Sequence, residues 1–236
     1  MLSLPLLPYC EDGLAAQVHE ALQLAAGCIV SGMPCPDGDA PLEALSLELG
    51  EPLYEPHNLR GGMVCRVEVE PGELRPYANT PFYFPGHTDC ADHAEPSDTV
   101  LLLCQQPAVS GGESFVAPLD EILKHLSLSD LLALQAPRFY FRYGYLPVLS
   151  ASKGLHRIRY NRLMFEMFQP PEQLAELNPL LDRLDQAIQA VAFHFRLTAG
   201  DCLILDNQRS VHGRTAFEPA AESARLMKRV RLSSRI

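Results

Sequence analysis

The sequence predicts a mainly β fold with flanking helices, and three observations support this. Apolar and polar residues alternate at 63–69, a pattern typical of a half-buried strand. The β-branched and leucine run at 98–104 is typical of a strand buried on both faces. Helical periodicity is limited to a few segments, one of which opens a long insertion. We therefore expect a β-sandwich or barrel core flanked by helices.

The first half of the chain mixes helices and strands. Residues 11–27 predict an amphipathic helix, because apolar residues from Leu14 to Ala25 keep a 3.6-residue period and Gly27 can end it. Aromatic residues at 82–84 favour an extended conformation before the segment 85–90. The other predicted elements are a buried strand at 28–30, a helix at 41–49, and strands at 63–69, 98–104 and 113–116.

The second half begins with a mostly helical insertion around 118–193. Its predicted elements are helices at 118–125, 128–136 and 172–193, the last with a break near Pro179, and strands at 138–145 and 155–161. Strands at 202–205, 211–217 and 225–233 close the chain, with a turn at Asp206-Asn207. No internal repeat, low-complexity tract or linker interrupts residues 1–236, so a single domain is expected.

Composition narrows the function classes. The formal net charge of -10 argues against binding to a nucleic-acid backbone, because few cations are present to displace counterions. The 7 cysteines are scattered without a CxxC pair, which indicates reduced thiols and a cytoplasmic location. The opening Met1–Pro8 is short, proline-broken and lacks a basic region, so neither a signal peptide nor a membrane partner is expected. The oligomeric state is left open.

The segment 85–90 holds the first candidate metal ligands. Side chains two residues apart on a strand share a face, so His87 and Asp89 can present an imidazole and a carboxylate to one point. His212 can supply a third ligand. Two histidines and one carboxylate leave coordination positions open and suit non-haem Fe(II) oxygen chemistry. An isolated HxD tripeptide is more often a surface feature, so further motifs are needed.

The last predicted strand is rich in arginine. Arg225, Met227, Arg229 and Arg231 share one parity, and the opposite parity is mostly apolar. One interpretation is a solvated edge strand, whose arginines block pairing with another strand. The other is an anion site, since a guanidinium can hold a carboxylate through two parallel hydrogen bonds. An enzyme with two acidic substrates would need such a pair at Arg225 and Arg229.

The segment Gly200–Phe217 is the most specific. It reads GD, a hydrophobic strand, DN and then HGRTAF, and it resembles the distal-histidine segment of Fe(II)/2-oxoglutarate-dependent dioxygenases related to taurine dioxygenase and clavaminate synthase. The resemblance extends to HTD at 87–89, to GGES at 111–114 and to the terminal Arg225-x-x-x-Arg229. These four motifs stand in family order and cover most of residues 50–236. The fold that the resemblance implies is the double-stranded β-helix, or jelly roll.

The resemblance implies a role for each matching residue. His87, Asp89 and His212 would bind Fe(II), leaving positions for 2-oxoglutarate and O₂. Arg225 would hold the distal carboxylate of 2-oxoglutarate. Ser114 stands where the family commonly has threonine, and its hydroxyl would meet the same carboxylate. The expected activity is hydroxylation or another oxidation of a small polar, carboxylate-bearing molecule such as an amino acid or its derivative.

Three residues are candidates for binding that primary substrate. Arg229 matches the position that meets an anionic group of the substrate in some family members. Tyr83 lies four residues before His87, and even spacing predicts that it faces the metal, where it would contact substrate or fill the barrel. His57 falls where the family often has a substrate-facing loop, although a lone loop histidine is usually solvated.

Three other functions fit the same residues less well. The run from His87 to His93 loosely resembles the HxHxDH motif of zinc hydrolases of the metallo-β-lactamase type, but it is one residue too long and lacks the second histidine. A non-catalytic metal-binding jelly roll would not need the arginine pair. A halogenase would replace the metal carboxylate with a small residue, whereas Asp89 is present.

Overall fold

The computed structural model describes residues 3–35, 38–54, 62–70, 76–152, 154–219 and 225–233. The strands are β1 (Leu6–Pro8), β2 (Gly27–Ser31), β3 (Glu51–Pro52), β4 (Cys65–Glu68), β5 (Phe84–His87), β6 (Thr99–Gln106), β7 (Ser114–Pro118), β8 (Phe139–Tyr140), β9 (Tyr145–Leu146), β10 (Leu149–Ser152), β11 (Leu155–Ile158), β12 (Phe193–Phe195), β13 (Cys202–Asp206), β14 (Ser210–Arg214) and β15 (Leu226–Ser233). The helices are α1 (Leu14–Leu24), α2 (Ala40–Leu49), α3 (Leu119–Leu123), α4 (Leu128–Leu134), α5 (Arg162–Phe168) and α6 (Pro171–Val191).

Two β-sheets form the core. The larger sheet has the strand order β1-β2-β13-β6-β15-β3, and β4 also pairs with β15. The smaller sheet has the order β12-β7-β14-β5. Apolar side chains from both sheets form one cluster, which includes Val116 of β7, Leu203 of β13 and Met227 of β15. The sheets therefore pack face to face, and the predicted mainly β core with flanking helices is confirmed.

Helices cover the outer faces of the sandwich. Helices α1 and α2 pack against the larger sheet, where Val18 and Leu42 meet Ile204 and Val230. Helices α3 and α6 cover the smaller sheet, where Ile188 packs with Val211. Among the residues that the structure describes, no helix has both the length and the apolar character needed to cross a bilayer.

The segment 118–193 differs in part from the predicted helical insertion. It contains the four helices α3 to α6, but also two hairpins, β8-β9 and β10-β11. The predicted strand 138–145 is divided, because Arg142 has a φ of 52° and turns the chain. Helix α6 runs unbroken through Pro179. Most of its apolar face is buried, and this burial offsets the missing backbone hydrogen bond.

Of the strands that carry the candidate site, β15 keeps the predicted alternation of faces, whereas β5 ends before Asp89. In β15 the alternation predicted from sequence is observed, since Met227 faces the space between the sheets and Val230 faces the outer helices. Strand β5, in contrast, ends at His87, so Asp89 lies beyond it. Asp89 therefore shares no strand face with His87, and another feature must bring the two side chains together.

Candidate metal centre and anion-binding cavity

Three side chains converge at one end of the smaller sheet. His87 ends β5 and is the direct cross-strand partner of His212 in β14, with ring centroids 4.4 Å apart. Asp89 follows in a tight turn in which Cys90 has a φ of 56°. The turn directs the Asp89 carboxylate back toward the two imidazoles. One ligand atom from each residue lies within 4.8 Å of the others, and all three residues are buried.

The donor atoms fit a divalent iron. Asp89 Oδ1 lies 3.4 Å from His87 Nε2 and 3.9 Å from His212 Nε2. His87 Nδ1 lies 2.9 Å from the carbonyl oxygen of Pro85, which can only accept, so Nδ1 carries the proton and Nε2 has a free lone pair. Two imidazole nitrogens and one carboxylate oxygen on one side of a point are the ligand set of non-haem Fe(II) oxygenases.

The protonation states also suit metal binding. Burial lowers the pKa of His212 to about 3, with a further lowering from His87, so this imidazole is neutral near pH 7. Burial alone would raise the pKa of Asp89. The positive charges of Arg231 and Arg229, together with the two histidines, hold it well below its ordinary value. A neutral imidazole and an ionised carboxylate are the forms that bind a metal.

Two arginines of β15 hold the second carboxylate oxygen of Asp89. Arg231 Nε donates to Asp89 Oδ2 over 2.8 Å, and Arg229 Nη1 lies 3.5 Å from the same oxygen. Oδ1 is thereby left to face the histidines. The sequence interpretation gave Arg231 no role at the metal, although its shared parity with Arg225 and Arg229 was the signal that could have found it.

Asn207 fixes the loop that carries Asp89. Its side-chain Oδ1 accepts from the backbone N–H of Asp89 at 2.8 Å, and its Nδ2 donates to the Asp89 carbonyl at 2.9 Å. Nδ2 also lies 2.8 Å from the carbonyl oxygen of Ser97. The residue is 1% exposed. Its predicted turn-forming role is therefore only part of its function, since the side chain bridges to a loop 118 residues earlier in the chain.

A cavity extends from the three ligands between the two sheets. Ser114, Arg214, Arg225 and Arg229 supply its polar lining, and Val67, Leu102 and Met227 supply much of the rest. Arg225 is buried and lies beside the ring of Phe217, at 5.6 Å from its centroid. Burial lowers the pKa of Arg225 to about 10, which still leaves it charged near pH 7. Among the described residues no carboxylate lies within ion-pair distance of it.

Arg214 was not predicted as a cavity residue. It is buried, and its Nη2 donates to the carbonyl oxygens of Thr80 and Phe82 at 2.8 Å each. Burial, followed by the nearby charge of Arg225, lowers the pKa of Arg214 to about 9. The HGRTAF motif contains this residue, so the signal was present in the sequence.

Tyr83 does not face the metal, and that prediction is wrong. The pairing of β5 with β14 shifts register between His212 and Arg214, and the extra residue in β5 reverses the expected parity. Phe84 therefore stacks on His87, with centroids 3.9 Å apart. Tyr83 is 40% exposed and instead stacks on Phe115, a fully buried residue of β7.

Two other histidine predictions have different outcomes. His57 lies outside the described residues, so its predicted contact with substrate stays a prediction. His93 belongs to the zinc-hydrolase interpretation. It lies 4.0 Å from Asp92, its side chain is 46% exposed, and it is not part of the cluster of ligands. His93 therefore does not supply the second histidine that the zinc-hydrolase motif requires.

Comparisons with known proteins identify relatives of this chain. The sequence model of the taurine catabolism dioxygenase TauD, TfdA family matches residues 2–231 of this chain. The L-asparagine oxygenase of Streptomyces coelicolor is 32% identical over 143 residues, which is 56% of this chain and 42% of that protein. The match thus spans less than half the length of this relative.

Solved structures show the same fold. The asparagine oxygenase complex with Fe(II), 2S,3S-3-hydroxyasparagine and succinate superimposes with a TM-score of 0.78 at 24% identity, covering 93% of this chain and 78% of that one. The non-haem iron oxygenase OrfP, in complex with Fe and alpha-ketoglutaric acid, gives a TM-score of 0.76 at 22% identity, covering 94% and 80%. The predicted double-stranded β-helix is confirmed by these neighbours.

Proposed function

The chain belongs to the taurine catabolism dioxygenase TauD, TfdA family, and from that premise we propose that it is an Fe(II)- and 2-oxoglutarate-dependent dioxygenase that hydroxylates an amino acid or a derivative of one. One observation carries the proposal. His87, Asp89 and His212 converge on one point, and the cavity that leads from them contains the buried cation of Arg225, which has no acidic partner among the described residues.

In this proposal His87, Asp89 and His212 hold Fe(II) through two Nε2 atoms and Oδ1. When bound, Fe(II) supplies the activation of O₂ that couples decarboxylation of 2-oxoglutarate, to succinate and CO₂, with oxidation of a substrate C–H bond. The contact of Arg231 with Asp89 Oδ2 orients the carboxylate so that Oδ1 points to the metal position.

The remaining polar groups of the cavity bind the co-substrate. Arg225 and the Ser114 hydroxyl receive the distal carboxylate of 2-oxoglutarate, since a buried guanidinium without an acid needs an anion to offset its desolvation. The apolar side chains of Val67, Leu102 and Met227 exclude water from the carbon backbone of 2-oxoglutarate.

An amino acid is the proposed primary substrate. The L-asparagine oxygenase is named for one, and the OrfP structures include complexes with L-Arg and (3S)-hydroxy-L-Arg. In this chain Arg229 lines the cavity next to Asp89 and suits the substrate carboxylate. Hydroxylation is the expected outcome. The partner of the protein is accordingly a small molecule.

The test is a screen for succinate release. The protein is reconstituted anaerobically with Fe(II) and 2-oxoglutarate, mixed with each of a panel of L-amino acids and their derivatives, and then exposed to air. We expect one class of amino acid to raise succinate release and to gain one oxygen atom by mass spectrometry. Asp89→Ala is the matched control and should release only background succinate. Succinate release that is equal in Asp89→Ala and wild type would refute the proposal.

A further inference from the structure

Arg214 stands beside the proposed co-substrate subsite. It lies on β14 two residues after His212, and it is the direct cross-strand partner of Ser114 on β7. It is 5% exposed and lines the same cavity as Ser114 and Arg225. The residue therefore occupies the wall of the subsite rather than the surface of the protein.

Contacts to protein satisfy only part of the Arg214 guanidinium. Its Nη2 donates to the carbonyl oxygens of Thr80 and Phe82, and its central carbon lies 4.7 Å from the centroid of the Phe217 ring. These contacts fix the plane of the guanidinium but bring no negative charge. The Nε atom is buried and has no hydrogen-bond partner among the residues that the structure describes. An N–H donor in such a place is costly unless a ligand accepts from it.

The charges on this part of the cavity are unbalanced. Arg225 lies against the same Phe217 ring, at 5.6 Å. Neither Arg214 nor Arg225 has a carboxylate within ion-pair distance in the part of the chain that the structure describes. Arg229 differs, since Asp89 Oδ2 lies 3.5 Å from its Nη1. Two buried cations that open into one cavity need an anion, and a bound carboxylate supplies it.

We infer that Arg214 is a second guanidinium of the subsite for the distal carboxylate of the 2-oxo acid, next to Arg225 and the Ser114 hydroxyl. This inference rests on the function proposed above and deepens it. A subsite with two cations favours a 2-oxo diacid strongly over a 2-oxo monoacid of equal chain length, because the monoacid leaves both guanidiniums desolvated and unpaired.

Calorimetric titration of the Mn(II)-loaded protein with 2-oxoglutarate and with 2-oxopentanoate tests this. The two ligands have the same chain length, and only the first has a distal carboxylate. We expect Arg214→Met and Arg225→Met each to lower the affinity for 2-oxoglutarate at least about thirtyfold, as when one partner of a buried charge pair is truncated. Binding of 2-oxopentanoate should change less than about threefold, because it makes no contact with either charge. Arg157→Met, which removes an exposed arginine of β11, is the control and should leave both affinities unchanged.

Arg214→Gln is a second variant, because it keeps an NH₂ donor for the carbonyls of Thr80 and Phe82 but removes the charge. It should lose the diacid preference as Arg214→Met does. If the Arg214 variants bind both 2-oxo acids equally more weakly, or bind both as tightly as wild type does, the inference is overturned and Arg214 is a purely structural residue. If wild type binds neither 2-oxo acid, the proposed function itself fails.

A structure of the wild-type Mn(II) complex with 2-oxoglutarate decides the matter even if no Arg214 variant folds. A nitrogen of Arg214 within hydrogen-bond distance of the distal carboxylate supports the inference. A distance beyond ion-pair range overturns it.

Discussion

Replacement of Asn207 by leucine should damage both the stability of the protein and its metal site. The leucine side chain has a similar size but removes the acceptor for the Asp89 N–H and the donor for the carbonyls of Asp89 and Ser97. Each lost hydrogen bond costs about 1 kcal/mol, and a buried N–H without a partner costs about 1–3 kcal/mol. The added apolar burial offsets part of this. We expect the free energy of unfolding to fall by about 2–4 kcal/mol.

Metal affinity should fall as well, because Asn207 holds the loop that presents Asp89. Loss of a residue that orients a ligand typically weakens metal binding about 10–100-fold. Urea unfolding of the metal-free protein gives the stability, and calorimetric titration with Mn(II) gives the affinity. Asn178→Leu is the matched control. Its Oδ1 accepts one partly buried hydrogen bond from Arg162, so a loss of about 0.5 kcal/mol is expected.

Two results would refute this reasoning. A stability loss no larger than that of the control would show that the Asn207 bridge contributes little. A large stability loss with unchanged Mn(II) affinity would show that the loop is not what positions Asp89.

Three further predictions concern the site and the fold. His87→Ala and Asp89→Ala should each abolish Fe(II)-dependent turnover; near-normal succinate release in either variant would remove the metal assignment. Arg229→Met should raise the KM for the amino acid more than the KM for 2-oxoglutarate, and equal increases would show that the two arginine roles are not separate. The hydrogen bond from Arg183, followed by that from Ser127, lowers the pKa of Asp130 in the folded protein below the ordinary value of 3.8. The ionised Asp130 therefore stabilises the fold fully above pH 3.8, and this stabilisation is lost as the pH falls through the lower pKa of the folded state. Unfolding at pH 5 and pH 3 should therefore show a smaller acid-induced loss in Arg183→Met than in wild type, and an identical loss would contradict this.

Local patterns predicted the strands that are long and buried. Alternation in 225–233 correctly separated the inward Met227 from the outward Val230, because β15 is regular over that stretch. Strands β1, β3 and β12 are two or three residues long and have too few residues to show a period. Within 139–158 the predicted strand at 155–161 contains β11, but the turn between β8 and β9 and the strand β10 were missed, since each strand there is only two to four residues long.

The candidate site shows the limit of counting along the chain. Family motifs led to His87, Asp89 and His212, and the structure brings them together. Tyr83 was misplaced because a register shift in β5 reverses parity, and a single sequence contains no sign of such a shift. The bridge from Asn207 to Asp89 spans 118 residues, so no local pattern could reveal it. Arg231 had the right parity, but only coordinates show that Arg231 and Arg229, and not Arg225, contact Asp89.

The most direct test is an anaerobic titration of the wild-type protein with Fe(II) and then with 2-oxoglutarate, followed by visible absorption. We predict one Fe(II) per chain and a weak visible band that forms only when both are present. The band should be absent from Asp89→Ala and should require a higher 2-oxoglutarate concentration in Arg225→Met. No band in wild type, or an equal band in Asp89→Ala, would contradict the assignment of these residues to iron and its co-substrate.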